Sequence, residues 1–186
     1  MKSIYLTENE IQQLNNNEKL IFIRMLKEQP PEEYIFKKIH EQGKFALFVL
    51  TEKNIFSIPL QYPIGTVIGI KETYCNRGFK YDFILGQYIP EYCYKSKGKK
   101  PQRKKWLSPV TMPQEAIRTK LKAVGNSVKR VQAITTSEAI RIGIYYSQQE
   151  PFPITRIKDW FNSKYAKKGY KWEDNPYCEI VDCEVR

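Results

Sequence analysis

Apolar residues along this chain fall in short runs of strand length, and only three stretches carry a helical period. Ser3 to Leu6 reads as a strand. Thr7 and Glu10 then show the Thr-x-x-Glu spacing of a capping box, in which two helix-start amides are satisfied reciprocally. Ile11 and Leu14 give that helix one apolar face, and Asn15 to Asn17 ends it. Lys19 to Leu26 is too apolar for a loop and reads as a core strand, and Pro30-Pro31 breaks the next stretch. Lys44 to Thr51 and Asn54 to Leu60 flank a short polar turn, the pattern of a hairpin. Tyr62 to Gly65 turns the chain into an apolar strand, Gly65 to Glu72. Phe79 to Leu85 is a further strand, and Gly86 to Trp106 reads as irregular.

Arg118 to Val124 and Val128 to Ile134 bracket Gly125-Asn126, a strong turn dipeptide, and predict a second hairpin. Thr135 and Glu138 repeat the capping-box spacing and start a short helix that stops at Gly143. Ile154, Ile157, Trp160 and Phe161 share a helical face, so a third helix is expected from Ile154 to about Lys168, ending in basic residues that suit its dipole. Tyr177 to Val185 is the last strand. Six to eight short strands joined mainly by turns, with three helices at the margins, argue against a doubly wound parallel sheet. They predict an α+β, mainly β fold: a small mixed barrel with about three flanking helices.

At 186 residues the chain is read as a single domain, 1–186, with an inserted irregular basic segment at about 86–106. The longest clear apolar run, Phe45 to Leu50, is far too short to cross a bilayer, and no signal peptide is evident at the start. A cytoplasmic protein with no membrane partner is therefore expected. Cys75, Cys93, Cys178 and Cys183 show no Cys-x-x-Cys spacing, and His40 is the single histidine, so no metal site and no cofactor are expected. Thirty-one basic against twenty acidic residues favour a polyanionic partner, nucleic acid first.

Phosphate-loop and dinucleotide glycine motifs are absent, and one histidine offers a poor candidate base for a Ser-His-Asp arrangement. Two features remain. Lys95 to Lys105 holds seven positive charges in eleven residues: Lys95, Lys97, Lys99, Lys100, Arg103, Lys104 and Lys105. Tyr88, Tyr92, Tyr94 and Trp106 flank it, so phosphate attraction and base stacking could act together. The alternative is a solvated loop. Tyr165 to Trp172 is a second basic and aromatic cluster, in which Trp172 is read as anchoring a helix end. The other feature is Glu72, a carboxylate closing an apolar strand in a chain of formal net charge +11.

Four segments carry a family resemblance: Glu10 to Lys19 through Arg24 to Lys27; Tyr62 to Tyr74; Lys105 to Arg118 with Arg130 to Ile134, Glu138-Ala139 and Gly143-Ile144; and Gly169 to Tyr177. In this order they resemble the ASCH family, and within it the larger proteins common in bacteriophages and prophages. The resemblance implies a PUA-like β-barrel. Related barrels bind RNA or read modified bases in a cleft, some small ASCH proteins remove an acyl group from acetylated cytidine, and nuclease activity occurs in the family. Carried over residue by residue, Lys19 matches the signature lysine, Glu72 the strand glutamate and Arg24 the signature arginine. Two positions depart: Asn17 replaces the signature glycine and Phe22 the threonine. Phenylalanine has no hydroxyl, so a mechanism that uses that threonine cannot run here.

The first expectation is thus RNA or modified-nucleotide binding. Lys19, Phe22, Arg24, Glu72 and Arg118 would serve the cleft, and Lys95 to Lys105 with Trp106 would contact nucleic acid. Phe22 could equally pack in the core, Lys19 could simply neutralise Glu72, and Arg118 could be a surface cation or a phosphate or Glu72 partner. The alternatives are a hydrolase, an acylated-cytidine amidohydrolase or ribonuclease using Lys19 and Glu72 as catalytic residues, and a phage accessory protein that binds a host factor. In a phage-encoded case the location is the host cytoplasm.

Overall fold

Most of the expected strands form, and two further ones appear where the alternation is obscured. The expected strand Phe79 to Leu85 instead ends at Asp82, with Phe83 to Leu85 in a turn, and Val131–Ala133 is a 3-10 turn rather than strand. The computed structural model describes residues 1–6, 10–11, 14, 19–97, 104–142, 144 and 154–186, with the side chains of Lys19 and Ile154 excepted. The fold is α+β and mainly β. Its strands are β1 (Lys2–Tyr5), β2 (Lys19–Met25), β3 (Ile35–His40), β4 (Phe45–Val49), β5 (Ile55–Pro59), β6 (Val67–Lys71), β7 (Tyr74–Asp82), β8 (Gln87–Tyr94), β9 (Lys120–Arg130) and β10 (Tyr177–Val185). Its helices are α1 (Thr136–Ile142) and α2 (Ile154–Tyr165). Two compact units are present: Met1–Asn17, Val67–Leu121 and Val185–Arg186 form the first, Glu18–Thr66 and Lys122–Glu184 the second.

In the first unit β1 pairs in parallel with β6, placing Lys2 opposite Ile68 and Tyr5 opposite Lys71. Ile4, Ile68 and Ile70 are buried there. A Cβ on Gly69 would lie 2.8 Å from Met1 Cε and 2.9 Å from Ile117 Cδ1, so glycine lets those side chains close on β6. The Ile70 amide donates to the Thr119 carbonyl at 3.0 Å, just before β9. β7 and β8 form an antiparallel hairpin with a register shift between Asn76 and Gly78. Two short 3-10 turns, Pro109–Thr111 and Gln114–Ala116, pack Met112, Ala116 and Ile117 against Tyr74, with Tyr92 and Tyr94 alongside.

In the second unit β10 lies between β9 and β2 and runs antiparallel to β2, from Cys178 opposite Met25 to Glu184 opposite Lys19. One face of that pair carries Ile21, Ile23, Met25, Cys178 and Ile180, covered by Ala139 and Ile142 of α1, Ile157, Phe161 and Tyr165 of α2, and Trp172. Trp172 anchors the end of the helix, as expected. β3, β4 and β5 form an antiparallel meander, and Ala46, Phe48 and Ile58 pack with Leu26, Leu60, Val128 and Tyr177. The second capping box forms: Thr135 N–H donates to Glu138 Oε2 at 2.8 Å and Glu138 N–H to Thr135 Oγ1 at 3.3 Å. The first box rests on Thr7, which lies outside the described residues, as do Asn15 to Asn17 and Gly143; Glu10, Ile11 and Leu14 are helical and buried.

Two further expectations need correction. Gly125-Asn126 is not a turn: both lie inside β9, an uninterrupted strand of 11 residues. Asn126 donates its side-chain amide to the Gly43 carbonyl at 3.0 Å, and Asp182 lies 3.5 Å from where a Gly125 Cβ would be. The Asn126 bond and the pairing of β9 with β10 hold the dipeptide extended against its local preference. Secondly, Gly86 to Trp106 is not irregular throughout, because Gln87–Tyr94 is β8, paired residue by residue with β7. The expected α+β, mainly β class is present; the sheets are open at their edges among the described residues, so a closed barrel is not shown.

Candidate functional site

β6 ends at Lys71, which puts the next residue, Glu72, just past a buried strand. Its side chain is 1% exposed. The turn Gln114–Ala116 brings Arg118 to it, and the turn Lys95–Lys97 brings Ser96, held beside it by a bond from the Lys95 amide to the Thr73 carbonyl at 3.0 Å. Arg118 grips the carboxylate in bidentate fashion, Nε to Oε1 at 2.7 Å and Nη2 to Oε2 at 2.9 Å. Ser96 Oγ donates to Glu72 Oε2 at 2.5 Å and accepts from Arg118 Nη2 at 2.8 Å. The guanidinium stands 4.4 Å from the centre of the Tyr94 ring. Burial raises the Tyr94 phenol above its ordinary pKa, and the nearby Arg118 only partly offsets this. Tyr94 in turn donates to the Ala116 carbonyl at 2.7 Å.

This network is closed. Both carboxylate oxygens are taken, and no buried side-chain nitrogen or oxygen among the described residues lacks a partner. Such a cluster joins the end of β6, the approach to β9 and the entry to the basic segment. It offers no oxygen turned toward a ligand, so its chemistry is that of an anchor.

The other expected cleft residues belong to the second unit. Phe22 is buried on β2, meeting Tyr62 edge to face at 5.1 Å, which is core packing. Arg24 lies 5.4 Å from the Phe22 ring centre. Burial alone would lower its pKa, but Tyr165 and Tyr62 beside it outweigh that and hold it above the usual value. Lys19 is the first residue of β2.

One residue here is absent from the sequence expectations. Glu179 of β10 is fully buried, lies directly opposite Arg24 in the strand register, and accepts the backbone amides of Gln61 at 3.0 Å and Tyr62 at 3.2 Å. Its sequence signal is the same as that of Glu72: an acid inside an apolar strand.

Of the basic segment, Lys95, Lys97, Lys104 and Lys105 are exposed and Trp106 is half-buried, while Lys99, Lys100 and Arg103 lie outside the described residues. Lys104 Nζ donates to the Asn76 carbonyl at 2.9 Å. Of the flanking tyrosines Tyr88 is exposed, whereas the hydroxyl of Tyr92 bonds Glu115 at 3.3 Å. In the second basic cluster Tyr165 and Trp172 are core residues. His40 is on the surface beside Glu41, as expected. The cysteines are reduced and buried. No cluster of metal-ligating side chains occurs among the described residues.

Comparisons with protein-family models, with curated proteins and with solved structures find no match for this chain.

Proposed function

We propose that this chain binds RNA or a modified nucleotide, as an ASCH-type, PUA-like module whose first unit holds the phosphates. The observation that carries this reading is the uneven charge. The residues of the first unit include 14 basic and six acidic side chains, against 17 and 14 in the second. The surplus gathers at Lys95 to Lys105, and its entry is fastened to the fold through Ser96, Arg118 and Glu72. An ordered point of attachment lowers the entropy lost when a basic segment settles on a phosphate backbone.

Binding is favoured over hydrolysis by the state of Glu72. A general base needs an oxygen within reach of the substrate proton. Both oxygens of Glu72 are instead held by Arg118 and Ser96. Phe22, at the threonine position of the resemblance, is packed on Tyr62.

The test is the salt dependence of binding to single-stranded RNA. Neutralising Lys99, Lys100, Arg103, Lys104 and Lys105 together to glutamine should weaken binding at every salt concentration. If all five contact phosphates, it should flatten the log–log salt slope by about 3.5, at about 0.7 per contact on a single strand. An unchanged affinity and slope would exclude the segment as the phosphate site.

A further inference from the structure

The β7–β8 hairpin carries an apolar surface that the proposed binding function does not use. Its register explains how that surface is built. On β8, Tyr88, Pro90, Tyr92 and Tyr94 alternate and so share one face. On β7, Tyr74 and Phe79 are separated by an odd number of residues and would point to opposite faces of a regular strand. The irregularity between Asn76 and Gly78 inserts one residue and corrects this: Tyr74 pairs with Tyr94, Phe79 with Pro90 and Tyr81 with Tyr88. Asn76 Oδ1 accepts from the Gly78 amide at 2.7 Å, and Gly78 adopts a φ of 108° that other residues avoid. The result is one continuous aromatic face.

The proximal half of that face is covered by Met112, Ala116 and Ile117. The distal half is bare, together with the turn Phe83 to Leu85 that joins the two strands. Phe79 is 70% exposed, Tyr81 43%, Phe83 89%, Ile84 96%, Leu85 62% and Tyr88 71%. At about 200 Å² for a large residue, these fractions amount to about 850 Å² of open surface, backbone and tyrosine hydroxyls included. The largest patch on a typical monomer is about 300–600 Å², and one side of a standard specific interface buries about 800 Å². The pair is also a two-stranded sheet among the described residues, and an isolated two-stranded hairpin is marginal in water.

Charge selects the occupant. Between Tyr74 and Tyr94 the charged residues are Arg77, Lys80, Asp82 and Glu91, two of each sign, with Arg77 and Glu91 3.9 Å apart. The hairpin is neutral within a strongly basic unit, so it has no surplus to attract a polyanion. The hairpin itself adds no net charge to a contact between two copies, and an isologous contact requires such a self-complementary patch.

We propose that the distal end of the β7–β8 hairpin is the contact through which two copies of this chain associate, each covering the exposed aromatic face of the other. Sedimentation equilibrium across a range of protein concentrations tests this. The unmodified chain should show a monomer–dimer equilibrium. The triple variant Phe79→Ser, Phe83→Ser, Tyr88→Ser should raise the dimer dissociation constant at least about 100-fold, since buried aromatic anchors dominate such interfaces. These side chains are exposed in the monomer, so its circular dichroism spectrum should be unchanged. The charge-neutralised Lys99 to Lys105 variant should still dimerise, which separates this proposal from the RNA-binding reading. A wild-type mass that stays monomeric at all concentrations overturns the proposal, as does a triple variant that dimerises as well as wild type. A monomeric wild type whose RNA binding is lost in the triple variant also overturns it, assigning the hairpin to nucleic acid instead.

Discussion

Replacing Arg118 with methionine keeps a long, unbranched side chain over Tyr94 but removes the donors that hold Glu72. The carboxylate, 1% exposed, would lose its bonds at 2.7 and 2.9 Å and keep only Ser96. Stranding one member of a buried pair costs about 3–5 kcal/mol. In a protein of this size that corresponds to a fall in Tm of about 2–4 °C per kcal/mol. Glu72→Gln should cost less, about 1–3 kcal/mol, because Arg118 is 23% exposed and its charge can turn to water. The double variant Glu72→Gln, Arg118→Met has no stranded charge, so it should be more stable than Arg118→Met alone. Urea unfolding of the four proteins at neutral pH completes the cycle. The reasoning fails if Arg118→Met costs under about 1 kcal/mol, the worth of an exposed pair, or if the two single costs simply add.

Titratable groups in the second unit give two further expected outcomes. Burial alone would raise the Glu138 pKa, but hydrogen bonds from Lys129 at 2.7 Å and from Thr135 hold it below the usual carboxylate value. A depressed folded-state pKa contributes stability above the unfolded pKa that is lost as pH falls through the folded one. Glu138→Gln should therefore cost about 1 kcal/mol at pH 7 and progressively less in acid, a difference readable from unfolding curves at several pH values; a gap independent of pH refutes it. Burial pushes the Cys183 thiol up to about 12 and raises the Cys178 thiol as well, and all four cysteines are buried. Iodoacetamide at pH 8 should label none of them in the folded protein and all four in denaturant; rapid labelling of Cys178 or Cys183 without denaturant counts against the packing of β10.

Local chemistry is legible in the sequence, and long-range chemistry is not. Thr135 and Glu138 can be read as a helix start because both partners of the capping box lie within one turn. Gly125-Asn126 carries an equally local signal, yet it is extended, because Gly43 accepts the Asn126 amide and β10 pairs with β9 from elsewhere in the sequence. β3 escapes the pattern for a different reason. Its half-buried residues, Phe36 and Ile39, are three apart, since the register shift between Phe36 and Lys38 breaks the alternation of two. β8 is hidden behind the charge run after it. At the site, Glu72 stands out as an acid in an apolar strand, but naming its partner requires choosing among 31 cations. Glu179 meets the same criterion but is masked in a C-terminal strand that also holds Asp182 and Glu184.

Glu72 and Glu179 share a design that bears on where function resides. Each is an acid inside a basic protein, and each accepts bonds from a segment without long regular structure. For Glu179 the donors are the amides of Gln61 and Tyr62, in the connection after β5. For Glu72 they are Ser96, in the short turn after β8, and Arg118, just before β9. A carboxylate suits this task because it accepts several bonds at once and makes each charge-assisted. A neutral side chain would leave donors unmet at about 1–3 kcal/mol apiece. The buried acids are thus occupied in fixing connections, and that use competes with general-base catalysis for the same oxygens. The basic segment is under a different constraint. Lys97, Lys104 and Lys105 are exposed, and Lys104 Nζ donates to the Asn76 carbonyl. In this chain the two interior acids set the scaffold, and the proposed anionic ligand is therefore assigned to exposed cations such as Lys97, Lys104 and Lys105 rather than to the buried network.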